Sequence, residues 1–295
     1  MNEQILNKSL INKINELKKK ENRDLLQLSF AEGKNVLTTC IEKKIPIEYI
    51  IIDKNKKDLF NELIKNIDKS KIYWTDEQNL LRVSTTKTSY FCITVFKIPN
   101  IIDTIDENKI DHPNFNLIID ELFEYLEHEK FICGLLQISD PGNLGTIIRT
   151  SIGFNQNKII LFEPNCDPFS PKVIRSSSGA IFNMEKIISV KKDLEEKFLS
   201  KIKEKTGYIN LKLAFAESSI MQNNKNEYIN LSENKKIRLP IFLLFGNEGK
   251  GISEKLRKLK DLSISIPQSD LIESYNLSIS HAILTYSLYL EKLNR

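Results

Sequence analysis

The stretch FGNEGKG, residues 245–251, follows an apolar run and has the composition of a turn that holds a ligand with its backbone. Glycine-rich turns after buried strands often bind phosphate through backbone N–H groups and a lysine. Two glycines here have Walker-loop spacing, but Ile252 stands where the lysine belongs. A dinucleotide fingerprint also fails, because Glu254 replaces its third glycine. Glu248 would repel an anion, so the turn is either an ordinary exposed loop or a site whose ligand tolerates a carboxylate.

A second turn, SDPGNLGTIIRTS at 139–151, follows another candidate strand. Pro141 and Gly142 predict the turn itself. Asn143 is a residue type that caps helices, and Arg149 follows six residues later. On this segment alone, an ordinary strand, turn and helix with a surface arginine is the favoured interpretation.

A third turn lies in SISIPQSDLIESYNLSISHAILTYSLYL, residues 263–290, where a strand ends and a polar loop leads into a helix. Ser274 and Asn276 stand at the start of this helix and are predicted to cap it. His281 is predicted to be a packed or surface side chain, because no Ser-His-Asp order surrounds it. Apolar residues at helical spacing predict a buried face. They are Ile279, Ile283, Tyr286 and Leu290.

The bulk properties of the 295 residues permit one large core or two domains. Basic runs at 13–23, 43–45 and 54–57 permit RNA binding, but solvated lysines on helix surfaces are the favoured explanation of these runs on composition alone. The net charge of +4 is modest for the whole chain. The four cysteines are widely spaced and have no C-x-x-C pair, so no metal site is predicted. The start MNEQILNKSL does not have a signal-peptide layout, and no run of about 18 apolar residues occurs. We therefore expect a cytoplasmic protein without a membrane span.

Strand and helix patterns alternate along the chain. A basic helix near 9–25 precedes short strands such as IEYIIID at 47–53. The polar stretch 97–114 is the best candidate for a linker, and a helical pattern follows at 115–129. From Phe131 onward, apolar runs predict a parallel sheet covered by helices on both faces. These runs lie at 131–138, 157–163, 211–216, 240–246 and 262–267.

Taken together, the three turns resemble one family. The segments GNLGTIIRTS, LLFGNEGKGIS and SISIPQSDLIESYNLSISHA are similar to the successive motifs of the SpoU-type (TrmH-like) ribose 2′-O-methyltransferases of the SPOUT class. The segment DPFSPKVIRSSSGAIF at 167–182 is similar to the stretch between the first two motifs. The resemblance spans about residues 131–293. The N-terminal part resembles, more loosely, the L30-like substrate-binding domain that many members carry.

The resemblance implies an α/β fold with two domains. Residues 1–110 would form the L30-like domain, 111–130 a linker and entry helix, and 131–295 the SPOUT catalytic domain. The end of that domain would be threaded into a deep trefoil knot, an exception to the general absence of threaded chains. A homodimer is implied as well, and the helix at 277–293 is a candidate for part of its interface.

The methyl donor implied by the resemblance is S-adenosylmethionine, held in the knot largely by backbone groups. It carries a sulfonium and an ammonium but no phosphate, so a glycine turn that binds it need not exclude Glu248. Tyr275 departs from the family, which usually has leucine there. The positions that match cofactor contacts are Leu244, Gly246, Ile266, Tyr275 and Leu277.

The implied reaction requires a ribose 2′-hydroxyl to lose its proton as it attacks the methyl carbon. Such a weak acid needs a base, or a positive charge that stabilises the oxyanion. The resemblance assigns this role to Arg149, whose permanent charge favours oxyanion stabilisation over proton removal. Asn143, Ser274 and Asn276 would position the ribose and the arginine, and Glu248 would orient the active-site arginine or asparagine. No metal is required.

The predicted function is therefore S-adenosylmethionine-dependent methylation of a ribose in large-subunit (23S-type) ribosomal RNA, because the N-terminal domain favours ribosomal over transfer RNA. Methylation of transfer RNA is one alternative. Another is an RNA-binding protein that has lost activity, for which Tyr275 is the only support. A dinucleotide-dependent oxidoreductase would need an intact G-x-G-x-x-G near its first strand, and the sequence contains none.

Overall fold

A computed structural model describes residues 4–88, 90–112, 115–205, 207, 209–217, 228–233 and 236–294. These residues form thirteen strands and twelve α-helices. The strands are β1 (Gln4–Ile5), β2 (Leu28–Glu32), β3 (Ile47–Asp53), β4 (Ile72–Thr75), β5 (Cys92–Lys97), β6 (Ile102–Ile105), β7 (Phe131–Leu136), β8 (Lys158–Phe162), β9 (Lys186–Val190), β10 (Lys212–Ala216), β11 (Tyr228–Asn230), β12 (Ile241–Phe245) and β13 (Leu262–Ser265). The helices are α1 (Lys8–Glu16), α2 (Lys20–Leu26), α3 (Lys34–Glu42), α4 (Asn61–Ile64), α5 (Glu77–Val83), α6 (Glu107–Asp111), α7 (Phe115–Glu129), α8 (Pro141–Gly153), α9 (Pro171–Ser176), α10 (Glu195–Glu204), α11 (Glu254–Arg257) and α12 (Leu277–Leu293).

The chain divides into two compact units, each built from separate segments. The first unit comprises Met1–Asn100, Leu144–Arg149 and Cys166–Asn183. The second comprises Ile101–Asn143, Thr150–Asn165 and Met184–Arg295. None of the helices within the described ranges has the length and apolar character needed to cross a membrane.

The first unit contains a sheet of five described strands in the order β1-β4-β3-β5-β2. Strands β1, β4 and β3 are parallel, whereas β5 runs antiparallel to β3 and β2. The strand predicted at 47–53 is confirmed as β3. Because successive residues of a strand face opposite sides, Ile51 packs with side chains of α1, whereas Ile50 and Ile52 pack with those of α3 and α4. Helices therefore cover both faces of this sheet.

The segment 166–183 belongs to this first unit. The buried guanidinium of Arg23 donates from Nη2 to Asp167 Oδ2 at 2.5 Å, which compensates a charge that would be costly to bury alone. Ser29 Oγ donates to the carbonyl oxygen of Phe169 at 2.6 Å. The sequence-based domains assign this segment to the catalytic part instead, so the compact units and the predicted domains divide the chain differently.

The second unit contains a parallel sheet of eight described strands in the order β11-β13-β10-β12-β7-β8-β9-β6. The five strands predicted from Phe131 onward are confirmed as β7, β8, β10, β12 and β13. Phe242 and Leu244 of β12 pack with side chains of α7 and α10. On the opposite face, the Phe245 ring lies 5.3 Å from the ring of His281 in α12. The prediction of a parallel sheet covered on both faces is therefore confirmed.

Two local predictions differ from the structure. The stretch 97–114, predicted as a linker, contains β6 and α6, and β6 pairs with β9 at the edge of the sheet. Asp106 caps α6 by accepting the N–H of Lys109 at 2.8 Å, so the acidic residues of this stretch mark a helix start. The single basic helix predicted near 9–25 consists of α1 and α2, separated by a turn at 17–19.

Candidate functional site

The three turns singled out in the sequence follow β7, β12 and β13. These strands and β10 are consecutive in the sheet, in the order β13-β10-β12-β7, and all are parallel. Parallel strands end at the same edge of a sheet, and ligands of open α/β sheets bind outside their carboxyl ends. The strand order therefore places the three turns together.

The turn after β12 is held in one conformation by Asn247. Its backbone pairs with Gly251 in both directions, at 3.0 and 2.9 Å. Its Oδ1 accepts the N–H groups of Gly249 and Lys250 at 3.0 and 2.9 Å, and its Nδ2 donates to the Gln137 carbonyl at 2.9 Å. Asn247 therefore ties the turn to the end of β7. Asn247 is absent from the residues predicted from sequence, although an asparagine ahead of turn glycines is a recognisable signal.

Gly246 begins this turn and has no space for a side chain. A Cβ on Gly246 would lie 2.8 Å from the carbonyl carbon of Gly251 and 2.9 Å from Ile252 Cγ1. Gly251 itself has φ +63°, a conformation that favours glycine. The two glycines therefore allow the backbone to fold tightly against itself at the carboxyl edge of the sheet.

A chain of hydrogen bonds joins one residue from each of the three turns. Asn143 donates from Nδ2 to Glu248 Oε1, and its Oδ1 accepts from Asn276 Nδ2 at 3.1 Å. Asn143 is not the cap of α8, contrary to the prediction. Asp140 caps this helix by accepting the N–H of Asn143 at 2.8 Å. Because Asp140 takes the capping role, the Asn143 side chain can link the other two turns.

Of the two residues predicted to cap α12, one does so. Asn276 Oδ1 accepts the backbone N–H groups of Ser278 and Ile279 at 2.9 and 3.4 Å, as a helix cap does. Ser274 lies two residues earlier, is exposed, and does not cap the helix. Ser274 borders the cavity described below.

The loop between β13 and α12 is held together by two of its side chains. The Tyr275 hydroxyl donates to the carbonyl oxygen of Pro267 at 3.1 Å, which connects the end of the loop to its start. Gln268 Nε2 donates to the carbonyl oxygens of Ile272 and Glu273 at 3.3 and 3.0 Å. The tyrosine that departs from the family pattern thus has a defined structural role here.

A cavity of about 550 Å³ opens where these turns meet. Every predicted site residue except Leu244 and Arg149 lines it. These residues are Asn143, Gly246, Glu248, Ile266, Ser274, Tyr275, Asn276 and Leu277. Leu244 is fully buried in the core beneath, because alternate side chains of β12 face opposite sides of the sheet. The Leu244 side chain therefore does not face the cavity, and a cofactor contact at Leu244 stays a prediction.

Arg149 lies elsewhere, in the part of α8 that belongs to the first unit. Its exposed guanidinium donates from Nη1 to Ser178 Oγ at 3.0 Å, and it lines a separate cavity of about 340 Å³ with Asn35 and Thr38. Six helical residues correspond to a rotation of about 240°, so Arg149 and Asn143 leave α8 in different directions. The structure does not bring Arg149 into the cavity at the turns.

The cavity also has an acidic wall residue that the sequence analysis missed. Glu217 follows β10 directly and lines the cavity together with Arg257. It stands alone in the sequence with no motif around it, so no sequence signal could have identified it.

In the described part of the chain, no group of three or more His, Cys, Asp or Glu side chains is arranged to hold a metal ion.

The helix α12 differs from its predicted orientation. Ile279, Tyr286 and Leu290 were predicted to face the core, but they are exposed. The face that packs against the sheet carries Leu284, Leu288 and several polar residues, including His281, which is fully buried. His281 is therefore a packed histidine, one of the two alternatives that the sequence left open.

Comparison with known proteins places the chain in a family. The sequence profile of the SpoU rRNA Methylase family matches residues 130–286, which contain all three turns and the cavity. The chain belongs to this family.

Individual relatives share the same region. The mitochondrial rRNA methyltransferase 1 of Saccharomyces cerevisiae is 29% identical over 170 residues, covering 53% of this chain and 40% of that protein. The 23S rRNA (guanosine(2553)-2′-O)-methyltransferase RlmP of Bacillus subtilis is 28% identical over 151 residues, covering 51% of this chain and 54% of that protein. The chain thus spans about half the length of the curated relatives it matches.

The fold is also known from solved structures. An AdoMet-bound rRNA methyltransferase from Sinorhizobium meliloti superposes with a TM-score of 0.69 at 19% identity, covering 97% of this chain and 95% of that one. At this identity the likeness shows the fold alone. It confirms the predicted α/β fold with a parallel sheet.

Proposed function

We propose that the chain is an S-adenosylmethionine-dependent RNA methyltransferase that modifies a ribose 2′-hydroxyl in large-subunit ribosomal RNA. The observation that carries the proposal is the hydrogen-bonded series Glu248, Asn143 and Asn276 at the rim of the cavity. It joins the three motifs of a chain that belongs to the SpoU rRNA Methylase family. The names of two matched relatives, both ribosomal RNA methyltransferases and one a 2′-O-methyltransferase, support the choice of substrate.

The residues of the cavity fit S-adenosylmethionine. A volume of about 550 Å³ is within the usual range for small-molecule sites of about 300–1,000 Å³. Glu248 and Glu273 border it, and their carboxylates suit a ligand that carries a sulfonium and an ammonium better than a phosphate. The turn at Gly246 allows close backbone approach. When bound, this cofactor supplies a methyl group on a positively charged sulfur.

The chain's own residues hold the acceptor ribose in place. Both polar atoms of the Asn143 side chain are engaged, one by Glu248 and one by Asn276, so its amide cannot rotate. Ser274 is exposed and lines the same cavity, and a serine hydroxyl can hydrogen-bond a ribose oxygen. A polar rim fixed before the substrate binds reduces the reorganisation required during the reaction.

Arg149 is proposed to stabilise the developing oxyanion in the cavity of a partner protomer. Two observations support this. Arg149 is exposed and does not line the cavity of its own chain. The helix α12 also exposes an apolar stripe, in which Ile279, Tyr286 and Leu293 are 49%, 50% and 60% exposed. Such a stripe fits a homodimer interface, and a symmetric dimer would contain two equivalent sites.

The N-terminal residues are proposed to bind the RNA. We propose an L30-like domain over 1–110, a linker and entry helix over 111–130, and a knotted catalytic domain over 131–295. The lysines at 54–57 support contact with phosphates, since Lys54, Lys56 and Lys57 are all exposed.

The first test is methyl transfer from radiolabelled S-adenosylmethionine to ribosomal and transfer RNA that lack the modification. Wild-type protein is compared with Arg149→Ala. Label at a 2′-oxygen of large-subunit RNA that is lost in the variant is the expected result. Label in transfer RNA alone would mean that the substrate is transfer RNA and not ribosomal RNA. Cofactor binding without any methyl transfer would favour an RNA-binding protein that has lost activity.

A further inference from the structure

In the part of the chain that the structure describes, one carboxylate oxygen of a residue in the wall of the cavity has no hydrogen-bond partner. Glu217 follows β10, its backbone N–H donates to the carbonyl oxygen of Ile264 at 3.1 Å, and its side chain is only 9% exposed. Among the described residues, Oε1 of this buried side chain accepts no hydrogen bond. A buried acceptor without a donor is costly, so such an atom is usually satisfied by water or by a ligand.

The other oxygen of Glu217 is fully engaged, and this fixes the carboxylate in place. Oε2 accepts from Ser263 Oγ at 2.6 Å and from Lys260 Nζ at 2.9 Å. Lys260 Nζ also donates to Ser263 Oγ at 2.8 Å, which closes a triangle of three side chains. The carboxylate therefore cannot rotate to exchange its two oxygens without breaking these bonds.

Arg257 forms an ion pair with Oε1 but, among the described residues, gives it no hydrogen bond. Arg257 Nε lies 3.4 Å from Oε1, but it donates its hydrogen to the Ile252 carbonyl oxygen at 3.1 Å. Glu217 and Arg257 both line the cavity. Because Glu217 lines the cavity, a ligand bound there is the candidate for the missing donor.

The charges around Glu217 select the kind of donor. Burial raises the pKa of this carboxyl, but hydrogen bonds from Ser263 and Lys260 and the charges of Lys260 and Arg257 outweigh it and leave the pKa below its usual range. The carboxylate is therefore ionised at neutral pH, and two cations already face its single negative charge. A third cation such as an ammonium would be repelled by this pair, whereas a neutral hydroxyl would not.

We propose that Glu217 Oε1 accepts a hydrogen bond from a ribose hydroxyl of the bound nucleoside cofactor. The inference rests on the proposed function, because it takes the cavity to be the S-adenosylmethionine site. It makes Glu217 a residue that recognises the sugar of the cofactor, in addition to the residues of the three motifs.

The test measures the dissociation constants of S-adenosylhomocysteine and of its 2′,3′-dideoxy analogue by titration calorimetry, with the full chain. Wild-type protein is compared with Glu217→Gln, in which the amide oxygen faces Lys260 and Ser263 and a donor replaces the acceptor Oε1. We expect Glu217→Gln to bind S-adenosylhomocysteine about 10- to 100-fold more weakly than wild type, the loss typical of a hydrogen bond to a charged group. We expect wild type to bind the 2′,3′-dideoxy analogue more weakly than S-adenosylhomocysteine by a similar factor. The loss caused by Glu217→Gln and the loss caused by removing the two hydroxyls should not add, because both remove the same hydrogen bond.

The matched control is Glu254→Gln, an exposed acid of α11 that does not line the cavity and should bind both ligands as wild type does. If Glu217→Gln does not fold, Glu217→Asp keeps the charge beside Lys260 but withdraws the carboxylate by one methylene. It should show the same loss.

The outcomes separate this inference from the proposed function. Equal affinity of wild type for the two ligands, or equal weakening of both by the Glu217 substitution, would overturn the inference and leave the proposed function intact. Absence of any binding of S-adenosylhomocysteine and S-adenosylmethionine to wild type would overturn both.

Discussion

His281 should make the fold sensitive to mild acid. The imidazole is 0% exposed in α12, and its ring packs 5.3 Å from that of Phe245. Nε2 lies 3.4 Å from the hydroxyls of Ser151 and Thr285, and in the described part of the chain Nδ1 has no hydrogen-bond partner. A protonated ring would bury a charge and leave one N–H donor without an acceptor. Burial accordingly lowers the pKa of His281 from 6.5 to about 3.

The sign and size of the effect follow from proton linkage. Below pH 6.5 the unfolded chain binds a proton at this imidazole, whereas the folded chain stays neutral until the pH approaches 3. Stability that is present above the unfolded pKa is therefore lost progressively as the pH falls through this window. At about pH 5 the free energy of unfolding should be about 2 kcal/mol lower than at about pH 7.5 because of this residue. The figure hardly changes for any folded pKa below about 4, because the unfolded pKa sets it.

The assay is urea denaturation of wild type and His281→Gln at both pH values. The substitution itself alters packing, so the informative quantity is the change in unfolding free energy between the two pH values. Wild type should lose about 2 kcal/mol more than the variant, because only wild type gains a proton at this position on unfolding. The exposed His128, replaced by glutamine, is the matched control and should behave as wild type does. Equal losses for wild type and His281→Gln would refute the conclusion that the imidazole is buried and neutral.

Three further predictions concern the cavity. Mixed Arg149→Ala and Asn143→Ala protomers should regain roughly a quarter of wild-type methyl transfer, because half of the dimers formed would contain one intact site of two. Gly246→Ala should weaken S-adenosylmethionine binding about 10-fold or more by calorimetry, because the new Cβ would force the turn apart. Tyr275→Phe removes a hydrogen bond worth about 1 kcal/mol that closes the loop before α12, so the same dissociation constant should rise about 5-fold.

Each of these three has its own control and contrary result. Arg149→Ala alone and Asn143→Ala alone should show no recovery of methyl transfer. If the mixture of the two variants shows no recovery either, Arg149 acts in its own chain. Gly153→Ala is matched to the glycine substitution, because a Cβ there meets nothing within 4 Å. An unchanged dissociation constant for Gly246→Ala would remove the turn from the binding site. Tyr286→Phe, an exposed tyrosine of α12, controls for loss of a hydroxyl, and equal effects of the two would refute the loop argument.

Five of the eight described strands of the second unit's sheet could be predicted from sequence, because most of these five are nearly continuous apolar runs that must be buried on both faces. The site could not be predicted in the same way. Asn143 is 105 residues from Glu248 and 133 from Asn276, and no spacing rule connects them. Their meeting depends on the strand order β13-β10-β12-β7, which brings separate turns to one edge. Resemblance to a family supplied the grouping, but it did not identify Glu217, which lies outside every motif.

The helix α12 shows why periodicity alone failed near the site. Its buried face carries Ser278, His281 and Thr285, whereas Ile279 and Tyr286 face outward. The pattern is the reverse of that of a surface helix in a monomer, so a count of apolar residues selects the wrong face. A buried polar face requires partners, and the helix finds them in Ser151, Cys133 and its own capping asparagine. The outward apolar face requires partners too, and a second copy of the same helix would supply them, which is the physical reason to expect the dimer on which the arginine proposal depends.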